Sequence, residues 1–191
     1  MRNNCCILLA FLLALSSGAT NAREFHDMRF ADKVVIPGTQ QALQLNGIGY
    51  RSKFFFKIYI GALYTVTRAK TPEAVLSQTG PKRLLMHFVY SEVSREKLVN
   101  AWNEGFEENT PAGDLAKLRE RIDQFNAMFP TLHSGDEVLF DYIPDEGTVV
   151  TIKGETKGVI KGEDFNHALL NIWLGNEPAD SGLKDALLGD D

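Results

Sequence analysis

The residues from which this chain could build chemistry are four histidines, two cysteines, a Gly-x-Gly pair and a scatter of carboxylates. His26, His87, His133 and His167 stand far apart, without the short spacings that bring imidazoles onto one metal ion. No serine lies in a Gly-x-Ser-x-Gly elbow. Gly47-Ile48-Gly49 begins a dinucleotide fingerprint, but Ser52 stands in the place of its third glycine. Strand-forming sequence also follows it, where a phosphate-binding helix would have to start. No two carboxylates are paired by spacing into a predicted cleft. The residue types therefore predict no metal and no cofactor, and leave the catalytic residues, if any, unassigned.

Both cysteines belong to a segment that reads as a secretory signal. Arg2 gives a positive start, residues 5–15 (CCILLAFLLAL) are uncharged and apolar, and residues 16–22 (SSGATNA) are small enough for cleavage. Cleavage is expected after Ala22, with cleavage after Ala19 as the alternative. The apolar run falls short of the roughly 20 residues that span a bilayer. The cysteines precede that run instead of ending it, which argues against a lipoprotein. The expected product is a periplasmic chain, 23–191, forming one domain with no membrane span. It would have no cysteine, hence no disulfide, no thiolate metal site and no cysteine nucleophile. Losing Arg2 makes the formal charge one unit more negative than −5. With no lysine- or arginine-rich block, nucleic acid is not an expected partner.

Hydrophobic spacing supplies the elements. Residues 40–45 and 50–66 predict two strands, the second dense in aromatic and β-branched residues. Gly47 and Gly49 between them predict a kink, a bulge or a close backbone approach. Thr71-Pro72-Glu73 starts a short helix ending near Gly80, and residues 83–90 return to a strand. Ser94 caps a helix whose Leu98, Trp102, Gly105 and Phe106 share a face. Asp114 is expected to cap the next, which carries Leu118, Ile122 and Phe125 inward and ends before Pro130. Residues 137–143 and 148–153 form a hairpin through Pro144-Asp145-Glu146-Gly147, with residues 156–161 as a further return. Phe165, Leu169, Ile172 and Trp173 mark a helix closed by Gly175, and Ser181 is expected to cap a last one. This order predicts an α+β domain: an antiparallel sheet with helices packed on one side.

One stretch carries a family likeness. Residues 45–64 (LNGIGYRSKFFFKIYIGALY), the helix start Ser94-Arg95-Glu96-Lys97-Leu98, Trp102, the turn Ser134-Gly135-Asp136-Glu137 and Ile172-Trp173-Leu174-Gly175 with Pro178 together resemble the bacterial chalcone isomerase-like family. That family is similar in fold to plant chalcone isomerases and their fatty-acid-binding relatives. The resemblance implies an open-faced β-sandwich, with a large antiparallel sheet, a helical layer and a cleft between them. In the plant enzymes an arginine after a Gly-x-Gly-x pattern lines the cleft, and Gly47-Ile48-Gly49-Tyr50-Arg51 matches it. A guanidinium can hold a carboxylate through two parallel hydrogen bonds or stabilise a developing oxyanion. The enzymes also use a threonine of the aromatic strand and a tyrosine at a helix start. Here Ile58 and Ser94 stand in those places, leaving Tyr59 and Tyr90 as nearby hydroxyls.

The resemblance thus implies a binder of a small carboxylate, such as a fatty acid, or of another apolar ligand. Arg51, Tyr59 and Tyr90 are its candidate ligand-binding residues. The alternatives are an intramolecular lyase of chalcone isomerase type, and a structural or interaction protein whose cleft is filled by its own side chains. No protein partner can be named from the sequence.

Overall fold

The computed structural model describes residues 22–189. The predicted signal lies outside the described residues, apart from Ala22, which begins strand β1 (Ala22–Phe25). β1 forms a hairpin with β2 (Met28–Ala31), then β3 (Lys33–Val35) enters the main sheet. That sheet has seven strands in the order β11-β10-β9-β6-β5-β4-β3, every neighbour antiparallel. Its long hairpin is β4 (Ala42–Lys53) and β5 (Phe56–Thr65). β6 (Lys82–Phe88), β9 (Glu137–Ile143), β10 (Gly147–Ile152) and β11 (Glu155–Ile160) complete it. A two-stranded ribbon of β7 (Glu92–Val93) and β8 (Leu132–His133) stands apart.

The helices are α1 (Pro72–Leu76), α2 (Arg95–Asn109), α3 (Ala112–Ala127), α4 (Glu163–Leu174) and α5 (Ser181–Leu187). Thr71 caps α1 and Ser94 caps α2, each hydroxyl accepting from the backbone N–H three residues on. α1 ends at Leu76, well before Gly80. Asp114 lies in the first turn of α3, where its carboxylate complements the helix dipole, and Pro111 occupies the cap. Asp180, not Ser181, caps α5, its carboxylate accepting from Leu183 N–H at 2.9 Å.

The sheet keeps two separate cores. On the helical face Trp102, Phe106, Phe125, Phe129, Phe140, Phe165 and Trp173 pack in ring-to-ring contact, with centroids 4.8–6.2 Å apart. On the opposite face Phe30, Ile36, Leu43, Leu45, Ile48, Ile60 and Tyr64 form a smaller cluster, with Phe25 and Met28 of the β1–β2 hairpin against it. Further along that face the surface turns polar, with Arg83 forking onto Asp141 (Nη2–Oδ2 2.7 Å) and His87 beside Glu137. The result is an α+β open-faced sandwich.

The strand predicted over residues 50–66 is in fact two. The chain reverses at Phe54-Phe55, where Lys53 pairs with Phe56. Aromatic density hid this turn, because it uses neither Asn nor Gly: Phe54 itself takes a φ of +56°. Conversely, Gly47 and Gly49 do not separate two strands but lie inside β4. The close approach predicted for them is real. A Cβ at Gly47 would lie 2.0 Å from the carbonyl oxygen of Ala186, and one at Gly49 would lie 2.6 Å from the Ala186 methyl. α5 seats on bare backbone there.

Candidate functional site

A cleft of about 710 Å³ lies between the turn end of the β4–β5 hairpin and helix α2, with the α4–α5 connection closing one side. Two β-bulges decide which side chains enter it. Strand residues alternate faces, so a strand without interruption would place Arg51 on the same face as Leu43 and Leu45, in the outer cluster. Leu45 pairs with Tyr64 and Gly47 with Leu63, so Asn46 is the extra residue of a bulge. Beyond it the alternation is reversed. Ile48 and Tyr50 turn to the outer cluster, while Gly47, Gly49 and Arg51 face the helices.

Asn46 holds that bulge in place. It is buried, and its Nδ2 donates to Ala69 O (2.9 Å) and Leu187 O (2.7 Å). Its Oδ1 accepts from Ala69 N–H (2.7 Å) and the Thr65 hydroxyl (3.3 Å). Four bonds satisfy a side chain that would be costly to bury unpaired.

The second bulge is at Ile58. Arg51 pairs with Tyr59 but Ser52 pairs with Lys57, leaving Ile58 without a cross-strand partner. Its carbonyl accepts instead from Val89 and Tyr90 N–H, at 3.0 and 3.1 Å. This bulge brings Ile58 and Phe56 to the cleft side together with Tyr59, and sends Lys57 to the outer face over the Tyr50 ring (3.9 Å).

Arg51, Tyr59 and Tyr90, the three candidates from the sequence, all line the one cleft. The half-buried Arg51 places its Cζ 5.9 Å from the Tyr59 ring centroid, and among the described residues it makes no ion pair. Tyr59 is buried, and its hydroxyl accepts from Trp173 Nε1 at 2.7 Å. Burial pushes the Tyr59 phenol up to about 12, against the opposing pull of Arg51, so it stays neutral and able to donate. Among the described residues the Tyr59 hydroxyl proton has no acceptor. Tyr90 sits at the rim, edge-on to Phe56 at 5.7 Å.

Ile58, Met86, Phe88, Leu98 and Trp102 supply an apolar floor. The indole Nε1 of Trp102 is buried without a hydrogen-bond partner among the described residues. Ser94 is not part of the lining; its hydroxyl is engaged in capping α2. Sequence reasoning did not anticipate the charged rim. Lys53 and Lys97 stand there with Glu92, Glu104, Glu108 and Glu177, brought from four segments, β4, β7, α2 and the loop before α5. Only Lys97, Glu104 and Glu108 share a helical spacing that the sequence could have shown. It also missed Phe54 and Phe56 as rim residues. Three successive aromatics cannot all face one side of a strand, and that was the signal available. Among the described residues no group of His, Asp or Glu is arranged to hold a metal ion.

Comparison with known proteins follows the geometry. A protein-family model described as chalcone isomerase-like matches residues 22–189. Among solved structures, a fatty-acid binding protein of Arabidopsis thaliana superposes with a TM-score of 0.57. That match covers 82% of this chain and 95% of the other at 16% sequence identity, which is a likeness of fold. No curated protein sequence matches the chain.

Proposed function

The chain belongs to the chalcone isomerase-like family, and from that premise we propose that it is an exported, non-catalytic binder of a small monocarboxylate with an apolar tail, such as a fatty acid. One observation carries this reading: Arg51 enters the cleft beside its apolar floor and makes no ion pair among the described residues. A half-buried guanidinium is best tolerated beside an anion, and a ligand carboxylate can accept two of its N–H bonds. The uncommitted Tyr59 hydroxyl proton supplies a further donor on the same wall. Ile58, Met86, Phe88 and Leu98 then take the tail. The cleft volume falls within the range of about 300–1,000 Å³ usual for small-molecule sites. The apolar floor beyond Arg51 offers a second carboxylate no partner, so the reading selects a monocarboxylate with an apolar tail. The fatty-acid-binding relative in fold supports the same ligand class.

Catalysis of the lyase type is less favoured. Ile58 offers only methyl and methylene groups to the cleft, and the Ser94 hydroxyl is committed to a helix cap. Export rests on the residue 1–22 signal, with the periplasm as destination.

Calorimetric titration with fatty acids of several chain lengths tests the reading. Arg51→Met keeps the apolar stem and removes the charge. It is expected to fold as well as the parent and to lose about 2–5 kcal/mol of binding free energy, as for a buried charge left unpaired. Lysine at this position rescues only part, because it lacks the bidentate geometry. Equal affinity in parent and methionine variant would remove Arg51 from the site.

A further inference from the structure

The tip of the β4–β5 hairpin is chemically unlike the other tight turns of the sheet. The β9–β10 turn places Asp145 and Gly147 at positive φ, and the β10–β11 turn uses Lys153 and Gly154. Small or polar residues of this kind relieve turn strain and keep a hairpin tip in water. The β4–β5 tip instead places Phe54 at a φ of +56°. Phe54, Phe55 and Phe56 remain 86%, 99% and 58% exposed, three of the five large hydrophobic side chains exposed among the described residues. These rings add nothing to either core. Their exposure is unfavourable in water, and a strained backbone holds the first of them outward.

Lys53 and Lys57 flank the rings, and no acidic residue occurs between Arg51 and Ile58. The chain as a whole is acidic, at −5, and Glu92, Glu104, Glu108 and Glu177 stand elsewhere on the cleft rim. The tip is thus a local cationic exception and the side of the mouth that would meet anionic headgroups. It also adjoins the cleft, since Lys53, Phe54 and Phe56 line the mouth and Tyr90 stacks edge-on against Phe56. Projecting phenyl rings, a tyrosine behind them and lysines beside them are the arrangement that enters the boundary of a bilayer while its cations meet headgroup phosphates.

We propose that this tip docks the protein on a lipid bilayer bearing anionic headgroups, with the Phe54 and Phe55 rings entering the interface and the cleft mouth turned toward the membrane. Docking at this edge gives an apolar ligand a route between bilayer and cleft that avoids water. That route rests on the carboxylate-binding reading; the docking itself does not.

Sedimentation of the protein with phosphatidylcholine vesicles, with and without phosphatidylglycerol, tests the proposal. Phe55 and Lys57 are outside the cleft lining, so their variants leave the cleft itself unaltered. Phe55→Ser is expected to weaken partitioning about tenfold, the value of one buried phenyl group. Lys57→Gln should weaken it about fivefold, only on vesicles containing phosphatidylglycerol, with added salt removing the difference. Because Trp102 and Trp173 are buried, Phe55→Trp adds a tip-specific reporter, whose emission should shift to the blue on vesicles. Equal partitioning of parent and Phe55→Ser, or an unshifted tryptophan, overturns the proposal. So does a self-association that Phe55→Ser dissolves without any vesicle affinity, which would assign the tip to a second copy of the chain. Calorimetry with a soluble fatty acid separates the two readings. Vesicle binding without fatty-acid binding removes the ligand assignment alone, and the reverse removes docking alone.

Discussion

The two ends of the β4–β5 hairpin meet the helical layer in opposite ways. At one end Gly47, Gly49 and Gly61 present bare backbone, and α5 comes down until Leu183 and Ala186 touch the strands. At the other end the same face carries Arg51, Tyr59 and Phe56, and the helices stand off to leave the cleft. One pair of strands thus makes a sealed joint and an open site, and side-chain size along it sets the boundary. Asn46 stands at the sealed end, yet its bulge decides which way Arg51 points at the open end. The closed half of the hairpin is therefore a condition of the site in the other half.

The most damaging way to break the comparison is to fill the sealed end. Gly47→Val would drive its side chain into the backbone oxygens of Ala186 and Leu187, which lie 2.0 and 2.5 Å from an ideal Cβ. Backbone cannot yield as a side-chain end can, so a loss of about 3–5 kcal/mol is expected in denaturant unfolding, with α5 displaced. Parent-like stability would mean that α5 does not seat on Gly47.

Removing the rivet sharpens the link between the two ends. Asn46→Ala leaves Ala69 N–H and the Leu187 carbonyl without their side-chain partner. A cost of about 2–4 kcal/mol is expected, from several buried groups losing partners at once. Relaxation of the bulge into regular pairing would turn Arg51 to the outer face, so fatty-acid affinity should fall with stability although Asn46 is not in the cleft lining. A stability loss with unchanged affinity would show that the bulge survives without Asn46.

The mildest probe acts at the border between cleft and core. Burial holds the Tyr59 phenol neutral to about 12 in the folded chain, whereas in the unfolded chain it ionises near its ordinary value of 10. The folded state therefore binds the extra proton between these values. Stability from this residue is intact below pH 10 and declines as pH rises toward 12, by about 2–3 kcal/mol. Tyr59→Phe should flatten that part of the alkaline transition. At neutral pH it should cost about 1–2 kcal/mol, because Trp173 Nε1 loses its acceptor. An unchanged alkaline profile would show that the phenol is accessible to water. Tyr64, also pushed to about 12 but on the outer face, retains its own contribution in both proteins.

Helix faces and the caps at Thr71 and Ser94 were legible in the sequence, because periodicity and capping are properties of adjacent residues. The caps of α3 and α5, by contrast, fell on Pro111 and Asp180. Leu98, Trp102 and Phe106, or Phe165, Leu169 and Trp173, recur at a spacing that only a helix turns to one side, and all six are buried. The hairpin expected over 137–143 and 148–153, which lies at 137–143 and 147–152, was equally legible, since its loop holds a proline and a glycine suited to a turn, Gly147 taking a positive φ. The turn at Phe54-Phe55 was not, because it departs from that chemistry. The likeness to the chalcone isomerase-like family pointed to Arg51, and the family match over residues 22–189 supports the likeness.

Local composition alone determined the polar and apolar faces, the glycines where something must come close, and the absence of a metal-ligand pattern. What came close to those glycines was decided by α5, about 140 positions further along the chain, as in the 141-residue separation between Asn46 and Leu187 across their hydrogen bond. The direction of Arg51 was decided in the same way. Alternation along a strand is a count of residues, and a single bulge reverses it. The bulge at Asn46 is held by partners on α5 and at Ala69, contacts that exist only once the chain has folded.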